Sequence, residues 1–158
     1  MGAEDSFSGK IINNKVFLNW KNINDYTKQI HKYVLSIAFL PDAIVCIHKG
    51  GIIPSTILSY QMKIDELYSL KITANNVVYP RDIINLRGKN ILIVDNILED
   101  GQKIAYLESF LQSLAVRQVV VTTLVRKQFD TPFVVPDFSA KSISKEDWVI
   151  FPWEELNY

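Results

Sequence analysis

Apolar positions along this chain fall into two kinds of run. Ala43–Ile47 and Ile91–Val94 are short, aliphatic and bounded by polar residues, as strands buried on both faces are. Gln118–Val125 is rich in β-branched residues and reads as another central strand, Leu67–Ile72 alternates partially and reads as a fourth, and Val16–Leu18 can form a short one. The other kind has helical spacing. Ile23, Ile30, Val34 and Ile37 line one face, with Tyr26 and Tyr33 near it, which predicts an outer-layer helix from a cap at Asn19 or Asn22 to about Ala38. Ser55–Met62 predicts a short helix, and Ile104, Leu107, Leu111 and Leu114 predict one from Lys103 to about Ala115.

Between these runs lie breaks. Pro41-Asp42 precedes the first aliphatic run, and Pro132, Pro136 and Asp137 interrupt the chain after the last. Thr73–Arg87 has no clear period, and a stretch of that length in a small domain is usually a functional or mobile loop. Met1–Lys15 is polar and reads as a mobile arm without chemistry.

Composition narrows the class. A chain of 158 residues suits a single domain, residues 1–158, that buries roughly 68–70% of its unfolded surface. Hydrophobic residues make up 48% and charged ones 22%, and 17 basic residues balance 17 acidic ones, so nothing suggests a general nucleic-acid or membrane surface. The single Cys46 sits in an apolar run and reads as a small buried hydrophobe. With no internal disulfide to form, no signal peptide and no apolar run of the ~20 residues a bilayer requires, the cytoplasm is the default location.

Two stretches carry the candidate chemistry. After Ile91–Val94 comes Asp95-Asn96-Ile97-Leu98-Glu99-Asp100-Gly101-Gln102-Lys103, an acidic loop that leads into a helix. In an open parallel sheet ligands bind at the carboxyl ends of strands, and the N–H groups opening a helix suit a phosphate. After Ala43–Ile47 comes His48-Lys49-Gly50-Gly51-Ile52-Ile53-Pro54-Ser55, where two glycines permit a close backbone approach, Lys49 supplies a cation and Pro54 can start a helix. On the residues alone, that stretch is equally a plain strand-to-helix turn. Lys127 alone is a surface charge, Trp148 and Trp153 are core aromatics, and His31 and His48 are solvent-facing or packing residues.

Together these stretches resemble the type I phosphoribosyltransferases. The acidic loop resembles their phosphoribosyl-pyrophosphate motif, in which two acids and two mostly apolar residues precede Asp-Thr-Gly-x-Thr. Asp95 and Gly101 match, Glu99 is a conservative change, and Asn96, Asp100 and Lys103 replace an acid and two threonines. Lys49-Gly50-Gly51-Ile52-Ile53-Pro54 is similar to the basic, Gly-Gly, aliphatic, Pro run of the purine-specific members. The ending Trp148-Val149-Ile150-Phe151-Pro152-Trp153 resembles that of bacterial and archaeal xanthine-guanine enzymes.

The resemblance implies an α/β fold, a parallel sheet flanked by helices with a small hood built from the chain ends. It implies transfer of ribose 5-phosphate from phosphoribosyl pyrophosphate to a 6-oxopurine, with Mg²⁺ as cofactor, in a homo-oligomer. Glu99 would take the purine N7 proton, and Asp95 and Asn96 would face the ribose hydroxyls, with Asp95 also toward the metal. Asp100, Gly101, Gln102 and Lys103 would hold the 5-phosphate, and Lys49, Gly50 and Gly51 the pyrophosphate. Lys127 would bond the 6-oxo group, Trp148 would stack on the base beside Val149, and Thr73–Arg87 would be a lid. Among the departures, Asp100 sets a carboxylate where a phosphate belongs, and like charges about 4 Å apart cost roughly 4 kcal/mol at an effective dielectric of about 20. Lys103 would offset it, as one half of a coupled swap.

Two other readings are available. Asn96 and Asp100 favour a nucleotide-binding or regulatory module with weakened catalysis. A phospho-accepting receiver domain with Asp95 as acceptor needs an acidic pair after the first strand, where this chain has His48-Lys49.

Overall fold

Each aliphatic run becomes a strand of one sheet, and its alternate residues are shared between two apolar cores. The computed structural model describes residues 11–73 and 76–154. In chain order the elements are β1 (Ile11–Ile12), β2 (Lys15–Phe17), α1 (Trp20–Ser36), β3 (Ala43–Ile47), α2 (Ile52–Met62), β4 (Leu67–Thr73), β5 (Asn76–Val78), β6 (Asn90–Leu98), α3 (Gln102–Ser113), β7 (Gln118–Gln128), β8 (Phe138–Ser144) and β9 (Trp148–Ile150), with a 3-10 turn at Arg81–Leu86 between β5 and β6.

The main sheet has the order β5-β4-β3-β6-β7-β8. Its neighbours from β4 to β8 pair in parallel, and β5 adds an antiparallel edge. Period-two alternation sorts the side chains. Ile44, Leu92, Val94, Val120 and Leu124 face α1 and α2, where Ile23, Ile30, Val34 and Leu58 complete one core. Ala43, Val45, Ile47, Ile91, Ile93 and Val121 face α3, where Ile104, Leu107 and Leu111 complete the other. This is the parallel sheet flanked by helices that the resemblance implies. The chain ends form a second, three-stranded sheet of β1, β2 and β9, in which Lys15, Val16 and Phe17 pair with Trp148, Val149 and Ile150. Part of the expected arm, from Ile11 on, is therefore strand and turn; residues 1–10 lie outside the described residues.

Local structure refines several expectations. Both candidate caps of α1 are used: the Asn19 side chain accepts from the Asn22 N–H at 2.9 Å and the Asn22 side chain accepts from the Asn19 N–H at 3.0 Å. α2 starts at Ile52, three residues earlier than expected, with Pro54 in its first turn. β6 does not stop at Val94. Its ladder with β3 ends there, but its ladder with β7 continues to Leu98–Arg126, because β7 itself runs on to Gln128 against β8. Lys127 is thus inside a strand, not in a loop beyond one. β8 escaped the sequence pattern because it lies at the sheet edge and only Ile143 of its residues is fully buried. The aperiodic stretch Thr73–Arg87 is partly anchored, since Val77, Ile83 and Leu86 enter the α3-side core; Ala74 and Asn75 lie outside the described residues.

Candidate active site

Taken in order of appearance, the five parallel strands lie as second, first, third, fourth, fifth, so the winding direction reverses between β3 and β6. In such sheets the crevice for a ligand opens outside the carboxyl ends of the two strands flanking the reversal. A cleft of about 950 Å³ lies there, lined by His48, Lys49 and Gly50 after β3 and by Asp95 to Lys103 along β6 and the turn into α3. The two stretches with candidate chemistry are therefore opposite walls of one cavity.

The β3–α2 loop needs its second glycine for space. Gly51 caps α2 in an ordinary right-handed conformation, yet a Cβ there would lie 2.7 Å from the Val94 carbonyl oxygen and 3.0 Å from Cys46 Cβ. Both obstacles belong to central strands and cannot move aside. A Cβ on Gly50 would collide with the Asn96 side-chain amide, so Asn96 lies directly over this loop. The His48–Lys49 peptide is cis. His48 donates its backbone N–H to the Leu70 carbonyl at 2.7 Å and its Nδ1 lies 3.5 Å from Ser69 Oγ. Cys46 is buried behind the loop, and burial pushes its thiol up.

Asp95 sits where β6 loses its β3 neighbour. The residue is 9% exposed, and its carboxylate accepts from the Asn96 N–H at 2.8 Å. Burial raises its pKa to about 7, against the opposing pull of that N–H and of the Lys103 cation. Beyond it the turn is closed by its own groups. The Asp100 carboxylate accepts from the Gln102 N–H at 3.0 Å, and the Asp100 carbonyl accepts from the Phe133 N–H at 2.7 Å. Gly101 has φ +85°, and a Cβ there would meet the Val134 backbone at 2.7 Å. Among the described residues Asp100 forms no ion pair with Lys103, whose cation lowers the pKa of Asp95.

At the far end, Glu99 Oε1 lies 3.4 Å from Lys127 Nζ, which in turn lies 5.6 Å from the centre of the Trp148 ring. The lysine side chain is only 10% exposed, whereas Trp148 is 61% exposed on the outer strand β9. Lys127 and Trp148 do not line the large cleft; they join it through Glu99. Val149 is buried in β9 and pairs with Val16, so its side chain packs into the core. Trp153 stacks on Phe151 at 4.8 Å, as a core aromatic would, and also lines the cleft together with Glu154. The 133–134 segment that clasps the turn was not foreseen, and a proline-flanked loop carries no signal for such a contact.

No three His, Cys, Asp or Glu side chains among the described residues converge as a metal cage. Asp95 at the cleft floor, with the Asn96 amide beside it, suits an Mg²⁺ ion held by one or two carboxylates and by substrate phosphates. No helix of the described residues is long and apolar enough to cross a membrane.

Known proteins share this architecture. The family model for the phosphoribosyl transferase domain matches residues 16–157. The chain is 21% identical to a xanthine-guanine phosphoribosyltransferase of Idiomarina loihiensis, over 92% of this chain and 91% of that one. It is 25% identical to a transcriptional regulator of Methanosarcina barkeri, over 84% and 74%. The crystal structure of a purine phosphoribosyltransferase from Pyrococcus horikoshii superposes with a TM-score of 0.77 at 24% identity, over 92% of this chain and 97% of that one. With the matched region running from β2 past the end of β9, the chain belongs to the phosphoribosyl transferase domain family, as a type I member related to the xanthine-guanine enzymes.

Proposed function

We propose that the chain transfers ribose 5-phosphate from phosphoribosyl pyrophosphate to guanine, xanthine or hypoxanthine, as purine salvage requires. The observation that carries this reading is the convergence of Glu99, Lys127 and Trp148 at the end of the donor cleft, from three separate strands or loops. A nearly buried ammonium recognises a 6-oxo group, an exposed indole offers a stacking face, and a carboxylate next to that ammonium can accept the proton lost from the base.

Transfer develops positive charge on the ribose and negative charge on the departing pyrophosphate. Lys49 and the backbone of Gly50 and Gly51 hold the pyrophosphate, and the Asp95 carboxylate accepts from the ribose hydroxyls when ionised. Lys127 holds the base in register, and Glu99 takes the N7 proton as the new bond forms. Asp95 would hold Mg²⁺, which would supply charge neutralisation on the leaving side when bound. Incubating the protein with donor, Mg²⁺ and each base separately should yield the matching nucleotide, and Glu99→Gln should slow turnover by roughly 10²-fold or more. No nucleotide from any of the three bases refutes the reading.

A binding or regulatory module with weakened catalysis is the second reading. It is favoured by the Asp100 carboxylate on the Gln102 N–H and by a neutral amide at Asn96 in place of an acid, and it fits the regulator among the relatives. Binding of donor and nucleotide without turnover selects it.

A further inference from the structure

The stretch placed to cover the donor cleft is fastened away from it. Among the described residues, nothing between Ile53 and Asp95 lines the cleft, and Thr73–Arg87 lies in that interval. β5 pairs with the end of β4, Lys71 with Val78 and Ile72 with Val77. Val77, Ile83 and Leu86 are buried in the α3-side core, and the Tyr79 ring lies 4.8 Å from that of Phe110 on α3. Swinging this stretch over the cleft would break the β4–β5 ladder and carry three buried aliphatic side chains into water. The cleft itself, at about 950 Å³, is at the upper end of the roughly 300–1,000 Å³ usual for small-ligand sites, which leaves room for water beside a bound donor. Closing a site is what keeps water from a reactive centre.

Glu99, 3.4 Å from Lys127, is 58% exposed. A carboxylate placed to take a proton from a purine can take one from water. Resting on the donor site of the proposed function, we infer a second activity: without a purine, the protein hydrolyses phosphoribosyl pyrophosphate to ribose 5-phosphate and pyrophosphate. The bond from the ribose C1 to the pyrophosphate oxygen breaks, and its electron pair leaves with the pyrophosphate. A water oxygen bonds to C1, and that water gives one proton to the Glu99 carboxylate, which returns it to solvent. Purine and water compete for one bound donor, so a purine in place both accepts the ribosyl group and shields it.

The test incubates the protein with phosphoribosyl pyrophosphate and Mg²⁺ in H₂¹⁸O without a base, and follows the products by phosphorus NMR. Ribose 5-phosphate and pyrophosphate should appear in equal amounts, with no ¹⁸O in the pyrophosphate, at no less than about a hundredth of the rate of nucleotide formation from the best of the three bases. Glu99→Gln should slow this release by about tenfold or more, which separates it from a contaminating phosphatase. Adding the best base should divert the donor from ribose 5-phosphate to nucleotide. Amide hydrogen exchange across residues 76–86 should be the same with and without donor, because the stretch stays on α3. Nucleotide formation with base-free release no faster than in buffer overturns the inference and leaves the functional reading intact. So does protection of residues 76–86 gained on donor binding, or ¹⁸O in the pyrophosphate, which marks attack at phosphorus. Hydrolysis without transfer to any base supports the inference and refutes the transfer reading; neither hydrolysis nor transfer overturns both.

Discussion

Asp95 sets stability against function. Burial raises its folded-state pKa to about 7, whereas in the unfolded chain it returns to the ordinary value of 3.8. Near and below pH 3.8 both states hold the proton and the group has little effect. Between about 4 and 7 the unfolded chain releases the proton and the folded protein retains it, so stability falls as pH rises; above 7 the loss levels off. The difference of 3.2 between those values corresponds to about 4 kcal/mol at 1.36 kcal/mol per unit. Asp95→Asn keeps an acceptor for the Asn96 N–H and never ionises. It should match the wild type near pH 4 and exceed it by about 2–4 kcal/mol at pH 8 and above, measured by urea unfolding in Mg²⁺-free buffer. The same variant should lose donor affinity, since it cannot present an anion to the ribose hydroxyls, and wild-type donor binding should strengthen as pH rises through about 7. Parallel pH–stability curves for the two proteins refute the reasoning.

Two further outcomes follow from the geometry. Gly51→Ala places a methyl group against the Val94 carbonyl and Cys46 Cβ without backbone strain, so overpacking of about 1–3 kcal/mol should outweigh the roughly 0.4–1 kcal/mol gained by stiffening the unfolded chain; a more stable variant in urea unfolding contradicts this. Trp148→Ala should raise KM for the base by about 5-fold to 150-fold, with stability within about 0.5 kcal/mol of wild type because the ring is exposed, and Lys127→Ala should also weaken base binding; purine affinity untouched by either change removes them from the base pocket.

The sequence by itself determined which elements carry the core and where along the chain the candidate chemistry falls. Aliphatic runs specify β3 and β6 because strands buried on both faces admit little else, and the spacing of Ile104, Leu107 and Leu111 specifies the buried face of α3. The unusual residues Asn96, Asp100 and Lys103 were likewise legible in order and type. Only the tertiary structure decided what they do. Asn96 lies over Gly50 because the strand order sets the β3 and β6 loops face to face, and the Asp100 turn is fixed because the Phe133–Val134 segment holds its backbone. Strand ends were decided by neighbours as well. β6 and β7 outrun their apolar cores because parallel partners satisfy their backbone groups beyond Val94 and Val125, which keeps Lys127 in a strand and brings its ammonium to Glu99. Local pattern records burial and propensity; the pairing of distant backbones and the meeting of distant loops are long-range properties that no single stretch contains.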